Sequence, residues 1–134
     1  MDLKNSTLIF VCEHGAAKSI LAATYFNKLA GERDLPPHAI ARGINPDVTL
    51  SPKTIEGLRR DGLEPAECFP QKLTLAEVES ADHIISFCEL PEEYQNNVML
   101  EQWDDIPPVS AGYEKAREAL MAKLNSRPPA SRTN

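Results

Sequence analysis

No stretch of this chain approaches the roughly 18 to 20 consecutive apolar residues of a membrane-spanning helix, and its first apolar run, Leu8 to Cys12, is too short for the core of a signal peptide. No membrane partner is expected, and the protein should be soluble. Positive charge is scarce: 14 Lys and Arg stand against 20 Asp and Glu, a net charge of −6 with a pI near 5.0. That sign excludes a general nucleic-acid or anionic-lipid binder, so any anion site has to be built locally. Cysteine pairing is missing as well. Cys12, Cys68 and Cys88 lie far apart with no Cys-x-x-Cys spacing, which leaves neither a disulfide framework nor a zinc site and fits a reduced, cytoplasmic setting. Neither a metal nor a cofactor is called for. There are no internal repeats, and 134 residues suit one domain with one core. The folded part is expected over residues 1–125; the tail 126–134 has no apolar anchor and is expected to be disordered.

What is present concentrates in residues 6–30. Leu8-Ile9-Phe10-Val11 is a continuous β-branched and aromatic run without alternation, the pattern of a strand covered on both faces. It ends at Cys12. Glu13-His14-Gly15-Ala16-Ala17 then forms a short loop that delivers Lys18 and Ser19 to the start of an amphipathic helix. Strand, loop and helix in this order aim backbone N–H groups and the positive helix end at one spot, which suits an anion. The same donors and Lys18 would stabilise a thiolate on Cys12 and make it nucleophilic. Glu13 is expected to face solvent and His14 to sit on the loop surface.

The first helix should run from Lys18 to Ala30, with Ala22, Phe26 and Leu29 on one stripe and Gly31 in the C′ position. After the break at Leu35-Pro36-Pro37, His38 to Arg42 reads as a short strand ending at Gly43, and Asn45-Pro46 as a turn. Ser51-Pro52 reads as a cap and a first-turn proline for a helix with Ile55 and Leu58 inward, stopped at Asp61-Gly62. Cys68 to Leu73 has no regular pattern. Thr74 and Glu77 make a capping box for a helix of one or two turns. His83 to Phe87 is a second uninterrupted apolar strand, and it ends at Cys88 as the first ends at Cys12. Leu90 to Asn97 suits a loop or single turn, and Val98 to Leu100 a fourth, edge strand. Paired prolines keep Trp103 to Pro108 irregular. Tyr113, Ala116, Leu120 and Leu124 fall at helical spacing and place a last helix at Gly112 to Asn125.

Strands alternating with helices indicate a single doubly wound α/β domain with a four-stranded parallel sheet. Ligands in such sheets bind beyond the carboxyl ends of the strands, where the strand order reverses. If the strands ending at Cys12 and Cys88 are neighbours, both sulfurs stand on that rim.

At Cys12-Glu13-His14-Gly15-Ala16-Ala17-Lys18-Ser19 the sequence resembles the low-molecular-weight protein tyrosine phosphatases and their relatives, the thioredoxin-coupled arsenate reductases, whose signature is Cys-x5-Arg-Ser/Thr. The resemblance extends to Ala41-Arg42-Gly43, to the Pro52 helix, to the Ala81-Asp82 strand entry, and to Trp103 with the proline-rich loop before the last helix. It implies the fold given above. It also implies that Cys12 attacks phosphorus, that the residue 13–19 amides and Lys18 hold the equatorial oxygens, that Ser19 hydrogen-bonds the thiolate, and that Asp105 or Asp104 protonates the leaving group.

Three departures accompany the resemblance. Lys18 stands where the family has arginine, and an ammonium lacks the planar fork that grips an oxyanion bidentately. Gly15 stands where asparagine is common; glycine can take a positive φ unaided while losing the side-chain bracing. Pro107 falls where the family's aspartate belongs. Three readings follow: a phosphomonoester hydrolase; an arsenate reductase in which Cys88 attacks the Cys12–arsenic adduct, with Gln95 where those enzymes carry a further, resolving cysteine; and a non-catalytic phosphate or phosphoprotein binding module. The partners implied are phosphate, arsenate or a similar oxyanion, a phosphoprotein and, for the reductase, a reducing thiol.

Overall fold

The computed structural model describes residues 7–34, 39–96 and 99–126. Within them the elements run β1 (Leu8–Cys12), α1 (Lys18–Glu32), β2 (Ala39–Gly43), α2 (Pro52–Arg60), α3 (Leu75–Ser80), β3 (His83–Ser86), β4 (Leu100–Gln102) and α4 (Tyr113–Ser126). Single 3-10 turns lie at Glu92–Tyr94 and Val109–Ala111. The strands form one sheet in the order β2-β1-β3-β4, every pair parallel. The chain steps from β1 to β2 on one side and returns to β3 on the other, so the reversal falls between β1 and β3. Cys12 lies at that end of the sheet, where a doubly wound fold opens a crevice.

The continuous apolar pattern of β1 is explained by its two faces. Phe10 and Cys12 join a cluster with Leu21, Leu58, Trp103, Leu120 and Leu124, built from α1, α2 and α4. Ile9 and Val11 join Leu73, Val78, Ile84 and Leu90 on the α3 side. Burying side chains of this kind contributes about 1.5–3 kcal/mol each. The α4 stripe is as the spacing predicts: Tyr113, Ala116, Leu120 and Leu124 are all buried. Ser51 Oγ accepts from Thr54 N–H to cap α2 with Pro52 following, and the Thr74–Glu77 capping box makes both of its bonds.

Several boundaries differ from the sequence reading. α1 does not stop at Ala30 with Gly31 beyond it. Gly31 stays helical, Arg33 N–H and Asp34 N–H close the last turn on Ala30 O (3.0 Å) and Gly31 O (3.1 Å), and Asp34, at φ 57°, takes the left-handed conformation instead. α1 also buries more than the Ala22 stripe, because Ser19 to Tyr25 are enclosed between the sheet and the neighbouring helices. β3 ends at Ser86 rather than Phe87, although Phe87 N–H still donates to Val11 O (2.8 Å); just beyond, the Ser86 hydroxyl donates to Cys88 O (2.5 Å) and accepts from Cys88 N–H (3.2 Å), tying the turn that follows. β4 is Leu100–Gln102, later than expected, and α4 includes Ser126. The Leu35-Pro36-Pro37 break, His38, Asn97, Val98 and the tail 127–134 lie outside the described residues.

Candidate active site

Cys12, the last residue of β1, is 8% exposed, and its Sγ lies 3.1 Å from Oγ of Ser19, which has no exposed surface. With Cys12 as a thiol, S–H donates to that oxygen; with a thiolate, the Ser19 O–H turns and donates to sulfur. Ser19 is held there by the burial of the first turns of α1 against the sheet.

The loop between them is fixed from outside by the segment that follows β2. Ile44 N–H donates to Cys12 O (3.2 Å), Asn45 to Glu13 O (2.8 Å), Asp47 to His14 O (3.0 Å) and Ser51 to Ala16 O (2.9 Å). In a trans peptide the carbonyl and the next N–H point in opposite directions. The N–H groups of Glu13, His14, Gly15 and Ala17 therefore face away from residues 44–51, into the loop. Among the described residues, no backbone N–H from Glu13 to Ile20 has a protein acceptor. The last of these are the orphan donors of a helix start, and Ala17 supplies no side-chain cap. A run of free N–H groups beside a thiol is chemically suited to holding an oxyanion.

The other sequence candidates divide clearly. Glu13 and His14 are exposed and turned outward: Asn45 Nδ2 donates to Glu13 Oε2 (2.6 Å), and His14 Nδ1 stands 3.2 Å from Asn45 O and 3.5 Å from an Asp47 oxygen. Gly15 and Ala16 are buried, Ala17 and Lys18 half-buried. The Lys18 ammonium has no hydrogen-bond or ion-pair partner among the described residues. Asp104 and Asp105 are exposed on the loop after Trp103, and Asp105 Oδ2 pairs with Lys123 Nζ of α4 at 3.2 Å. Among the described residues no hydrogen bond or ion pair joins either aspartate to Cys12 or its loop. Trp103, just before these aspartates, belongs to the core: it is 4% exposed and packs edge-on against Phe10 and Phe87.

Cys88 is half-buried two residues past β3, the neighbour of β1. Burial pushes its thiol up; the Ser86 hydrogen bond pulls it back in part, negative charge on Cys12 and Glu13 pushes it further, and Lys18 opposes them. Cys12 closes β1 and Cys88 follows the end of β3, its parallel neighbour, so both stand at the same edge of the sheet. Cys68 is exposed and takes no part. Sequence reasoning gave no role to Gly43 or Asn45; the Gly-turn pattern at the end of β2 was the available signal.

The family model for low molecular weight phosphotyrosine protein phosphatase matches residues 7–123, and the chain belongs to that family. Among solved structures, YfkJ from Bacillus subtilis superposes with a TM-score of 0.76 at 17% identity over 91% of this chain and 96% of that one. The low molecular weight protein tyrosine phosphatase of T. tengcongensis gives 0.73 at 17%, over 91% and 99%. The arsenate reductase of Archaeoglobus fulgidus gives 0.66 at 21%, over 90% and 94%. At these identities the likeness is one of fold. No curated protein matches the sequence. Among the described residues no helix is long and apolar enough to cross a membrane.

Proposed function

We propose that the protein is a phosphomonoester hydrolase acting on phosphotyrosine or a related aryl phosphate through a Cys12 phospho-enzyme. The observation that carries this reading is the buried Cys12 sulfur, 3.1 Å from the Ser19 hydroxyl, beside a loop whose carbonyls are tied outward and whose N–H groups are unclaimed. The Cys12 thiolate attacks phosphorus as the bond to the leaving oxygen breaks. The residue 13–19 amides and Lys18 hold the equatorial oxygens, and Ser19 donates to sulfur. Asp104 or Asp105 gives a proton to the leaving oxygen. Water then attacks phosphorus, the same carboxylate takes its proton, and thiolate and phosphate are released. For Asp105 this requires giving up the Lys123 pair.

The position of Cys88 beside the Cys12 rim favours a second reading, arsenate reduction. Cys12 would form an S–As(V) bond with loss of water; Cys88 thiolate would attack Cys12 sulfur, releasing arsenite as arsenic gains two electrons and the two sulfurs form a disulfide. An external reducing thiol would close the cycle. The raised Cys88 thiol works against this, because the attacking species is the thiolate. The position of a resolving cysteine is filled by Gln95, whose amide donates to Leu90 O at 2.5 Å.

Purified protein assayed with an aryl phosphate and with arsenate, with and without thiol, separates the readings. Hydrolysis lost in Cys12→Ser supports the first; thiol-dependent arsenate reduction lost in Cys88→Ser supports the second. Phosphate binding without turnover on either substrate would leave a binding module. Setting and location follow the same reading: a reduced, cytoplasmic protein whose partner is an oxyanion, free or on a phosphoprotein.

A further inference from the structure

We infer that Gly43, the last residue of β2, is a positioning residue for the reaction: its bare backbone sets where the Cys12 loop, and with it the anion-binding N–H groups, can stand. The inference rests on the loop being the oxyanion site. Gly15, at the loop's crown, has φ 63° and lies directly on Gly43. A Cβ on Gly15 would meet Gly43 N at 2.9 Å and its Cα at 3.0 Å; a Cβ on Gly43 would meet Gly15 N at 2.6 Å and both Gly15 Cα and His14 C at 2.8 Å. All of these are backbone atoms, so no side chain can rotate aside.

The two sides of the contact differ in how far they can move. Gly43 is held in the sheet opposite Cys12 and on its other flank by Gly43 N–H to Gln71 O (2.8 Å) and Leu73 N–H to Gly43 O (3.0 Å). The loop has no such ladder. It hangs on four bonds to residues 44–51, which continue directly from Gly43. Gly43 is therefore the wall, and the loop is what yields. The substitutions are also unequal: a side chain at Gly15 adds torsional strain to the clash, whereas Gly43 has no left-handed φ, so its alanine variant reports the contact alone. Restoring ordinary contact from 2.6 Å to at least 3.4 Å moves the crown away by roughly 1 Å, and a misplacement of about 1 Å costs on the order of 100-fold in rate.

Two measurements test this. Gly43→Ala should lower kcat on an aryl phosphate on the order of 100-fold and weaken, by about tenfold or more, the protection that inorganic phosphate gives Cys12 against alkylation. Gly62→Ala, whose Cβ meets open space but whose φ of 84° strains the backbone without any clash, should leave protection unchanged. Wild-type kcat and protection in Gly43→Ala overturn the inference. If that variant does not fold, amide NMR of the wild type during phosphate titration decides. The loop amides of residues 13–19 should shift while a Cα proton of Gly43 keeps a close Overhauser contact with residues 14 and 15, with and without phosphate. Loop amides that shift as that contact is lost overturn the inference. An absence of any loop shift removes the oxyanion reading itself, and with it the role for Gly43.

Discussion

The Sγ of Cys12 and the Oγ of Ser19 are 3.1 Å apart, one closing β1 and the other in the first turn of α1, with the loop of residues 13–17 between them. A fully buried hydroxyl at that distance has the sulfur as its partner, and hydrogen bonds to charged groups contribute about 1.5–3 kcal/mol. Ser19→Ala should reduce kcat about ten- to hundredfold with little change in thermal midpoint, since only one oxygen is lost. Steady-state kinetics beside a melting curve measures both; unchanged kcat would remove Ser19 from the mechanism.

Lys18 sits half-buried at the loop's end with no partner among the described residues, as a residue waiting for an anion would. A guanidinium in its place would bind two equatorial oxygens where the ammonium binds as a point charge. Lys18→Arg should raise kcat/KM on an aryl phosphate, by about tenfold for one added charge-assisted bond. A loss of activity would show that position 18 does not face the oxyanion.

Much of this site was legible because local rules and tertiary needs agree in it. The apolar run of β1, the Ser51-Pro52 start, the Thr74–Glu77 box and the α4 stripe each follow from spacing that the packed structure also requires. What was not legible depends on contacts distant in sequence. Residues 44–51 clamp the loop by bonds that no pattern announces, and the meeting of Gly15 with Gly43 needs the β1–β2 register. Lys123 draws Asp105 to α4, a pairing invisible from the Trp103 loop alone. Gly31 misled in the opposite way: glycine is permitted to end a helix but does not have to, and here α1 runs on to Glu32, which pairs with Lys28 one turn back.

A second such long-range contact governs stability. Asp61, at the end of α2, accepts from Tyr25 (2.5 Å), Tyr113 (2.8 Å) and both ways from Arg117 (2.9 and 3.0 Å), joining α1, α2 and α4. Burial pushes its carboxyl up, but the bonds from the two tyrosines and Arg117 outweigh that and hold it below the usual aspartate value. A depressed folded value means that the stabilisation is present above the unfolded value and is lost as pH falls through the folded one. Tyr25 and Tyr113 are both raised, chiefly by burial; their contribution holds below the ordinary tyrosine value and fades as pH rises above it. Asp61→Asn should cost about 1–3 kcal/mol at neutral pH and flatten the acid limb of a denaturation-midpoint profile. An unchanged acid limb would contradict the assignment.

Gly57 and Tyr113 set two effects against each other. Alanine is a better helix former than glycine by about 1 kcal/mol. A Cβ at position 57 of α2, however, would stand 2.3–2.5 Å from ring atoms of Tyr113, and that ring is pinned by its bond to Asp61. Overpacking of this kind costs about 1–3 kcal/mol, so Gly57→Ala should lower stability in urea unfolding. A more stable variant would show that the ring moves freely.

In the proposed reaction Cys12 carries the phosphoryl group. Rapid acid quench during turnover of an aryl phosphate, followed by mass spectrometry of the Cys12 peptide, tests it most directly. One phosphoryl group on Cys12, absent from Cys12→Ser together with all hydrolysis, is the expected result. Turnover with no adduct on Cys12, or hydrolysis surviving in Cys12→Ser, would contradict it.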